Sequence, residues 1–215
     1  MKSVKGVMLF SALFLSTNVV MAEDMAVKIT PSMGSVKVMH NGKHVTIMRD
    51  QNQKATVIPD FAKTSRKCPP FCIQPMQLAP GVETIGEVEM LDYLQQMSKG
   101  DKSILVVDSR TPDWVKKGTI PGAVNIPWTN LNPDKGASPI QIGDILENKF
   151  GAKRFEDIWN YSDAKTLVLF CNGMWCGQSP NNIKNLLKFG YPAHKIKWYR
   201  GGMQNWSNLG LSVAQ

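Results

Sequence analysis

Sulfur chemistry is what this chain has to offer. Its four cysteines fall into two pairs, Cys171 with Cys176 and Cys68 with Cys72, while its three histidines, His40, His44 and His194, stand in no Cys-His spacing that would supply a general base. Cys171 follows Leu167-Val168-Leu169-Phe170, a run suited to a buried strand, and opens the stretch Asn172-Gly173-Met174-Trp175-Cys176-Gly177-Gln178-Ser179-Pro180. Ser179 has the side chain of an N-cap and Pro180 suits the first helical position, so a helix is expected to begin there with its free N–H groups facing the loop. A Gly-containing loop closed by a helix N-terminus gathers backbone donors around an anion, and here the anion is the sulfur itself. The thiolate is the nucleophilic form of cysteine, and such a setting lowers its pKa from about 8.5 to roughly 3.5–7.5. Cys171 is therefore the candidate nucleophile, and Asn172, Gly173, Met174, Trp175, Cys176, Gly177, Gln178 and Ser179 form its candidate anion-binding loop. This chemistry calls for no metal and no organic cofactor.

The second thiol of each pair is less constrained. Cys176 has three open roles: a disulfide with Cys171, acceptance of sulfur from it, or lining of the loop. Cys68-Pro69-Pro70-Phe71-Cys72 is expected to close a short structural disulfide, with a soft-metal site including Met76 and thiol exchange with Cys171 as alternatives.

Alternating elements must hold these residues. Val88, Leu91, Tyr93, Leu94 and Met97 recur at helical spacing, Ile104 to Val107 reads as a strand covered on both faces, and Thr166 to Phe170 and Ile196 to Tyr199 read as further strands. Ile183, Leu186, Leu187 and Phe189 mark the helix after the cysteine loop, and further helices are expected around Ile145–Phe150 and Met203–Leu209. Strands alternating with helices imply a parallel α/β sheet. Before it, Ser35 to Met48 alternate around Asn41-Gly42, the preferred centre of a type I′ hairpin. Pairing His40 with Lys43 puts Val36, Val38, Val45 and Ile47 on one face and sends His40 and His44 to opposite faces, which argues against a shared zinc site. Ala55 to Ile58 offers a further strand, after which Pro59, Pro69, Pro70, Pro75 and Pro80 oppose regular structure.

Three stretches taken in order resemble the rhodanese family of sulfurtransferases over roughly residues 84–213. They are Val106-Val107-Asp108-Ser109-Arg110 leading to Gly118-Thr119-Ile120-Pro121-Gly122-Ala123, the strand-Cys171-loop-helix unit, and Arg200-Gly201-Gly202-Met203-Gln204-Asn205-Trp206 with Gly210 after it. The resemblance implies a five-stranded parallel sheet with helices on both faces, a persulfide on Cys171, and Asp108 and Arg110 as supporting positions of the fold. Thr119 stands where that family commonly has His, and the cysteine loop is two residues longer than the family's common six-residue form.

At the N-terminus, Lys2 and Lys5, the apolar run Val7–Val20 and the small residues Val20 and Ala22 have the order of a secretory signal. The expected organisation is a signal peptide over residues 1–22, a small β-rich region over 23–80, and the rhodanese-like domain over 81–215, in a periplasmic or otherwise exported protein without a stable membrane span after cleavage. The formal charge is +8, and losing Lys2 and Lys5 leaves +6, enough to favour small anions. The Lys and Arg residues are scattered, which argues against nucleic acid. Three function classes follow: a sulfurtransferase using a small anionic sulfur donor and a thiol acceptor, a redox protein cycling Cys171 and Cys176 with an exported partner protein, and a non-catalytic partner-binding module.

Overall fold

The computed structural model describes residues 25–156 and 158–215; the expected signal peptide lies outside the described residues. The first element is the hairpin β1 (Ser35–His40) and β2 (Lys43–Met48), antiparallel with His40 opposite Lys43 and Val36 opposite Ile47. Its turn places Asn41 and Gly42 at positive φ, 49° and 76°, which a type I′ turn requires at both central positions. Among the described residues, Ala55–Ile58 pairs with no strand. It leads into a single-turn helix, α1 (Pro59–Ala62), because Pro59 falls at the first helical position, where its missing N–H costs no hydrogen bond.

The remaining elements run β3 (Glu83–Ile85), α2 (Glu87–Ser98), β4 (Ile104–Asp108), α3 (Pro112–Val115), β5 (Val124–Asn125), α4 (Pro139–Asp144), β6 (Lys153–Phe155), β7 (Ile158–Asn160), β8 (Thr166–Phe170), α5 (Gln178–Lys188), β9 (Ile196–Tyr199) and α6 (Gly202–Asn208). Five strands form a parallel sheet in the order β3-β9-β8-β4-β5. The α/β architecture and the three central strands agree with the pattern of apolar residues. The edge strands β3 and β5 span only three and two residues, too short to show a periodicity. The helix expected at Ile145–Phe150 instead begins at Pro139, capped by Ser138, whose hydroxyl accepts from the Gln141 N–H at 3.2 Å, and continues into a π-helical turn over Ile145–Lys149.

Alternation along the strands divides the core in two. Val106, Val168 and Phe170 face α2 and α6, together with Met90, Leu91, Leu94, Met203 and Trp206; Val107, Leu167, Leu169 and Trp198 face the opposite side with Ile183, Leu186 and Leu146. Met90 rather than Val88 supplies the inner face of α2: Val88 is 41% exposed. The hairpin closes the first half. Val36, Val38 and Ile47 are buried in the same cluster as α2, and the Gly122 N–H donates to His40 Nδ1 at 3.1 Å. Beyond β2, the Asp50 N–H donates to the Gly210 carbonyl at 2.7 Å. The hairpin face therefore shares the core of the sheet.

Ile47→Ala is expected to lower stability by about 2–5 kcal/mol and to shift the whole urea transition. A local transition of the hairpin, with the sheet unaffected, would contradict a shared core.

Candidate functional site

Cys171 sits immediately after β8, at the carboxyl end of the sheet, and is 2% exposed. Two structures hold it there. On one side, the N-terminal turn of α6 donates into the loop backbone, from the Met203 N–H to the Cys171 carbonyl and from the Gln204 N–H to the Asn172 carbonyl, both at 2.9 Å. This contact needs glycine at 202: its φ is +55°, and a Cβ there would overlap the Cys171 carbonyl. On the other side, α5 begins at Gln178 with Gly177 as its N-cap, two residues earlier than Ser179 and Pro180 imply.

That two-residue difference frees the Ser179 hydroxyl from capping. It donates to Cys171 Sγ at 3.1 Å and accepts from the buried Trp198 indole at 3.2 Å. Trp198, on the neighbouring strand β9, thereby fixes which way the Ser179 proton points. No loop motif announces this contribution; the one available signal is Trp198 at an inward position of β9.

Burial opposes ionisation of Cys171. Hydrogen bonds from the Cys176 thiol, the Ser179 hydroxyl and the Ser179 and Gly173 backbone more than offset it, and the pKa is lowered to about 7. Cys176, 3% exposed, goes the other way: burial, its donation to Cys171 and the adjacent charge push its thiol well above the ordinary value. The two thiols are thus shifted in opposite directions, and Cys171 is the sulfur that ionises first.

The expected ring of donors from Asn172 to Ser179 is only partly realised. The Cys176 N–H is taken by the Gly173 carbonyl at 2.9 Å, so the Cys176 side chain, rather than its backbone, serves the thiolate. Met174 is 37% exposed, and its carbonyl accepts from the Gln74 N–H at 2.8 Å. Trp175 donates its indole N–H to Gln204 Oε1 at 2.7 Å, and Gln178 Oε1 lies 3.9 Å from Cys176 Sγ.

Asp108 and Arg110 form a buried ion pair, 1% exposed on both sides, with Arg110 Nη2 at 2.7 Å from Asp108 Oδ2. Thr119 donates to the same carboxylate oxygen at 2.7 Å. Arg110 also donates to the Gly118 carbonyl at 2.7 Å and, through Nη1, to Asn172 Oδ1 at 3.4 Å. The pair thus ties the end of β4 to the residue after Cys171.

A part of the site that the loop motif does not reveal comes from residues 60–75. Cys68 and Cys72 are joined by a disulfide. Phe71, inside it, packs edge-on against Trp175 at 5.7 Å between ring centres, and the Arg66 guanidinium lies 3.8 Å over the centre of the same indole. Arg200 holds the Gln74 carbonyl at 2.8 Å, and Gln204 Nε2 donates to the Phe61 carbonyl at 3.2 Å. Between this strap and the loop lies a cavity of about 400 Å³ bordered by Asn172, Trp175, Cys176 and Gly177. Among the described residues no helix is long and apolar enough to cross a membrane.

With that geometry in place, the family model of the Rhodanese-like domain matches residues 90–209. The chain belongs to the rhodanese-like domain family. No curated protein matches the sequence. Solved structures similar to this rhodanese-like chain include the human single-domain sulfurtransferase TSTD1, 20% identical over 58% of this chain and 95% of that one, TM-score 0.38. A rhodanese-like domain protein from Staphylococcus aureus is 22% identical over 62% and 100% of the two chains, TM-score 0.39. The Saccharomyces cerevisiae single-domain sulfurtransferase RDL2 is 15% identical over 58% and 88%, TM-score 0.39. The strap residues Arg66 to Cys72 precede the stretch matched by the family model.

Two outcomes are expected. Alkylation of Cys171 should fall as pH drops through about 7, because the thiolate exists above that value; Ser179→Ala should move the midpoint upward, since it removes a donor to the charged form. An unmoved midpoint would show that the hydroxyl contributes nothing. Asp108→Asn, which leaves the Arg110 charge buried without its partner, should cost about 3–5 kcal/mol in denaturant titration.

Proposed function

We propose that this chain is an exported sulfurtransferase that takes sulfane sulfur from thiosulfate or a related anionic donor onto Cys171 and hands it to a thiophilic acceptor. The observation that carries this reading is the buried Cys171 sulfur, lowered to about 7 by donors fixed around it. The Cys171 thiolate attacks the outer sulfur of thiosulfate, the S–S bond of the donor breaks, and sulfite leaves with the electron pair. Cys171 then carries a persulfide anion, so charge is conserved and no external oxidant enters. An acceptor attacks the outer persulfide sulfur, and the Cys171 thiolate is regenerated. Two half-reactions through a covalent enzyme form give ping-pong kinetics.

Each donor acts on charge at a stated atom. Ser179 Oγ, the Cys176 thiol and the Gly173 and Ser179 N–H groups stabilise the negative sulfur of the resting enzyme and make Cys171 a good leaving group in the second half-reaction. Arg110, through Asn172, positions the loop without touching the sulfur. The Cys68–Cys72 disulfide supports export, because such bonds persist in oxidising compartments. A second reading, thiol-disulfide exchange between Cys171 and Cys176 with an exported partner protein, is favoured by their hydrogen bond and their oppositely shifted pKa values.

Intact-mass spectrometry of the reduced protein after incubation with thiosulfate separates these readings. The native chain is expected to gain one sulfur atom and Cys171→Ser none. No gain, with a Cys171–Cys176 disulfide forming under mild oxidant, would replace sulfur transfer by disulfide exchange. For the location, cell fractionation should find the chain in the exported fraction with a mass beginning at Glu23.

A further inference from the structure

The cavity of about 400 Å³ beside the loop is far larger than thiosulfate needs, and lies within the range of roughly 300–1,000 Å³ that suits small organic ligands. Its walls have a defined chemistry. Phe71, Trp114, Trp128 and Trp175 supply aromatic surface, and Arg66 is the one lining residue with a permanent charge. Arg66 forms no ion pair with a carboxylate among the described residues; its guanidinium is stacked on Trp175, and its weak bond to the Asp60 carbonyl is 3.5 Å long. Among the described residues, Arg66 Nε and Trp128 Nε1 find no acceptor, unlike most buried donors. Cys176 links this cavity to the reacting sulfur: it borders the cavity and donates to Cys171.

We propose that this cavity is the subsite for the body of the sulfur acceptor, and that the acceptor is an aromatic thiol carrying a carboxylate. The proposal rests on the sulfurtransferase reading above. A flat ring gains by stacking on the indoles, and an anionic substituent meets the uncompensated guanidinium; a small aliphatic thiol uses neither. In the transfer step the aromatic thiolate attacks the outer sulfur of the Cys171 persulfide. A new S–S bond forms on the aromatic sulfur, the S–S bond to Cys171 breaks, and the electron pair returns to Cys171 as thiolate. Two of the defining walls, Arg66 and Phe71, come from the strap that precedes the family match, so this specificity belongs to the chain's own extension.

The test uses the full chain loaded with thiosulfate and discharged by three probes: 4-mercaptobenzoate, with ring and anion; mercaptoacetate, with anion alone; and 4-methylbenzenethiol, with ring alone. The KM for 4-mercaptobenzoate is expected to be about tenfold below that of either other probe, the scale of one charge-assisted hydrogen bond or one stacked ring. Arg66→Gln should remove the advantage over 4-methylbenzenethiol and keep that over mercaptoacetate. Trp128→Phe, which retains a ring and removes an N–H, serves as the second variant should the first fail to fold. Binding is read independently of sulfur transfer by quenching of tryptophan emission with 2-naphthoate, expected to saturate and to weaken in Arg66→Gln. Equal KM values for the three thiols, or no saturable quenching, would overturn the subsite. A chain that takes up no sulfur from thiosulfate but still binds 2-naphthoate would instead overturn the sulfurtransferase reading and with it the acceptor role, leaving an aromatic-anion pocket.

Discussion

A sulfur that ionises near neutral pH while 2% exposed must find in the protein the stabilisation that water supplies elsewhere. Around Cys171 that stabilisation comes from a few donors shared between the cysteine loop and the first turn of α5. Ser179 stands in the first turn of α5 and is oriented by Trp198 of β9; the Gly173 and Ser179 N–H groups come from the loop and the helix start; the Cys176 thiol comes from the turn between them. Removing the fold removes the donors, because no short peptide keeps a strand end, a helix start and a neighbouring strand in register.

The loop itself is braced at both ends. Gly202 allows the backbone of α6 to approach closely enough for Met203 and Gln204 to donate to the Cys171 and Asn172 carbonyls. The buried Asp108–Arg110 pair reaches Asn172 from β4, with Thr119 saturating the carboxylate. A charge pair so deeply buried contributes less through its own attraction, which desolvation largely offsets, than by fixing geometry: the guanidinium that pairs with Asp108 also reaches the Gly118 carbonyl and Asn172 of the loop.

The N-terminal region is joined to this machinery at two levels. Its hairpin completes the core on the α2 side of the sheet, while its disulfide-closed strap lies against Trp175 and supplies the cationic wall of the cavity. Arg66 and Phe71 are placed there by the strap's own bonds to the loop and to Arg200, and a five-residue disulfide ring limits how far Phe71 can move.

From residue order alone, the hairpin register, the three central strands, the helix after the cysteine loop and the parallel α/β class were legible. Each rests on a local period or turn signal: Asn41-Gly42, the apolar runs ending at Asp108 and Phe170, and the spacing of Ile183 and Leu186. Cys171 was legible as the candidate nucleophile because strand, loop and helix follow one another in sequence. The edge strands were not, being too short to carry a period, and Ala55–Ile58 was misread because β propensity without a neighbouring strand makes no ladder. Only the tertiary structure decided that α5 starts at Gln178, that Trp198 orients Ser179, and that a strap about a hundred residues before Cys171 in sequence forms a wall beside its loop. These are contacts between elements distant along the chain, where packing and donor satisfaction set the outcome and no local pattern encodes them.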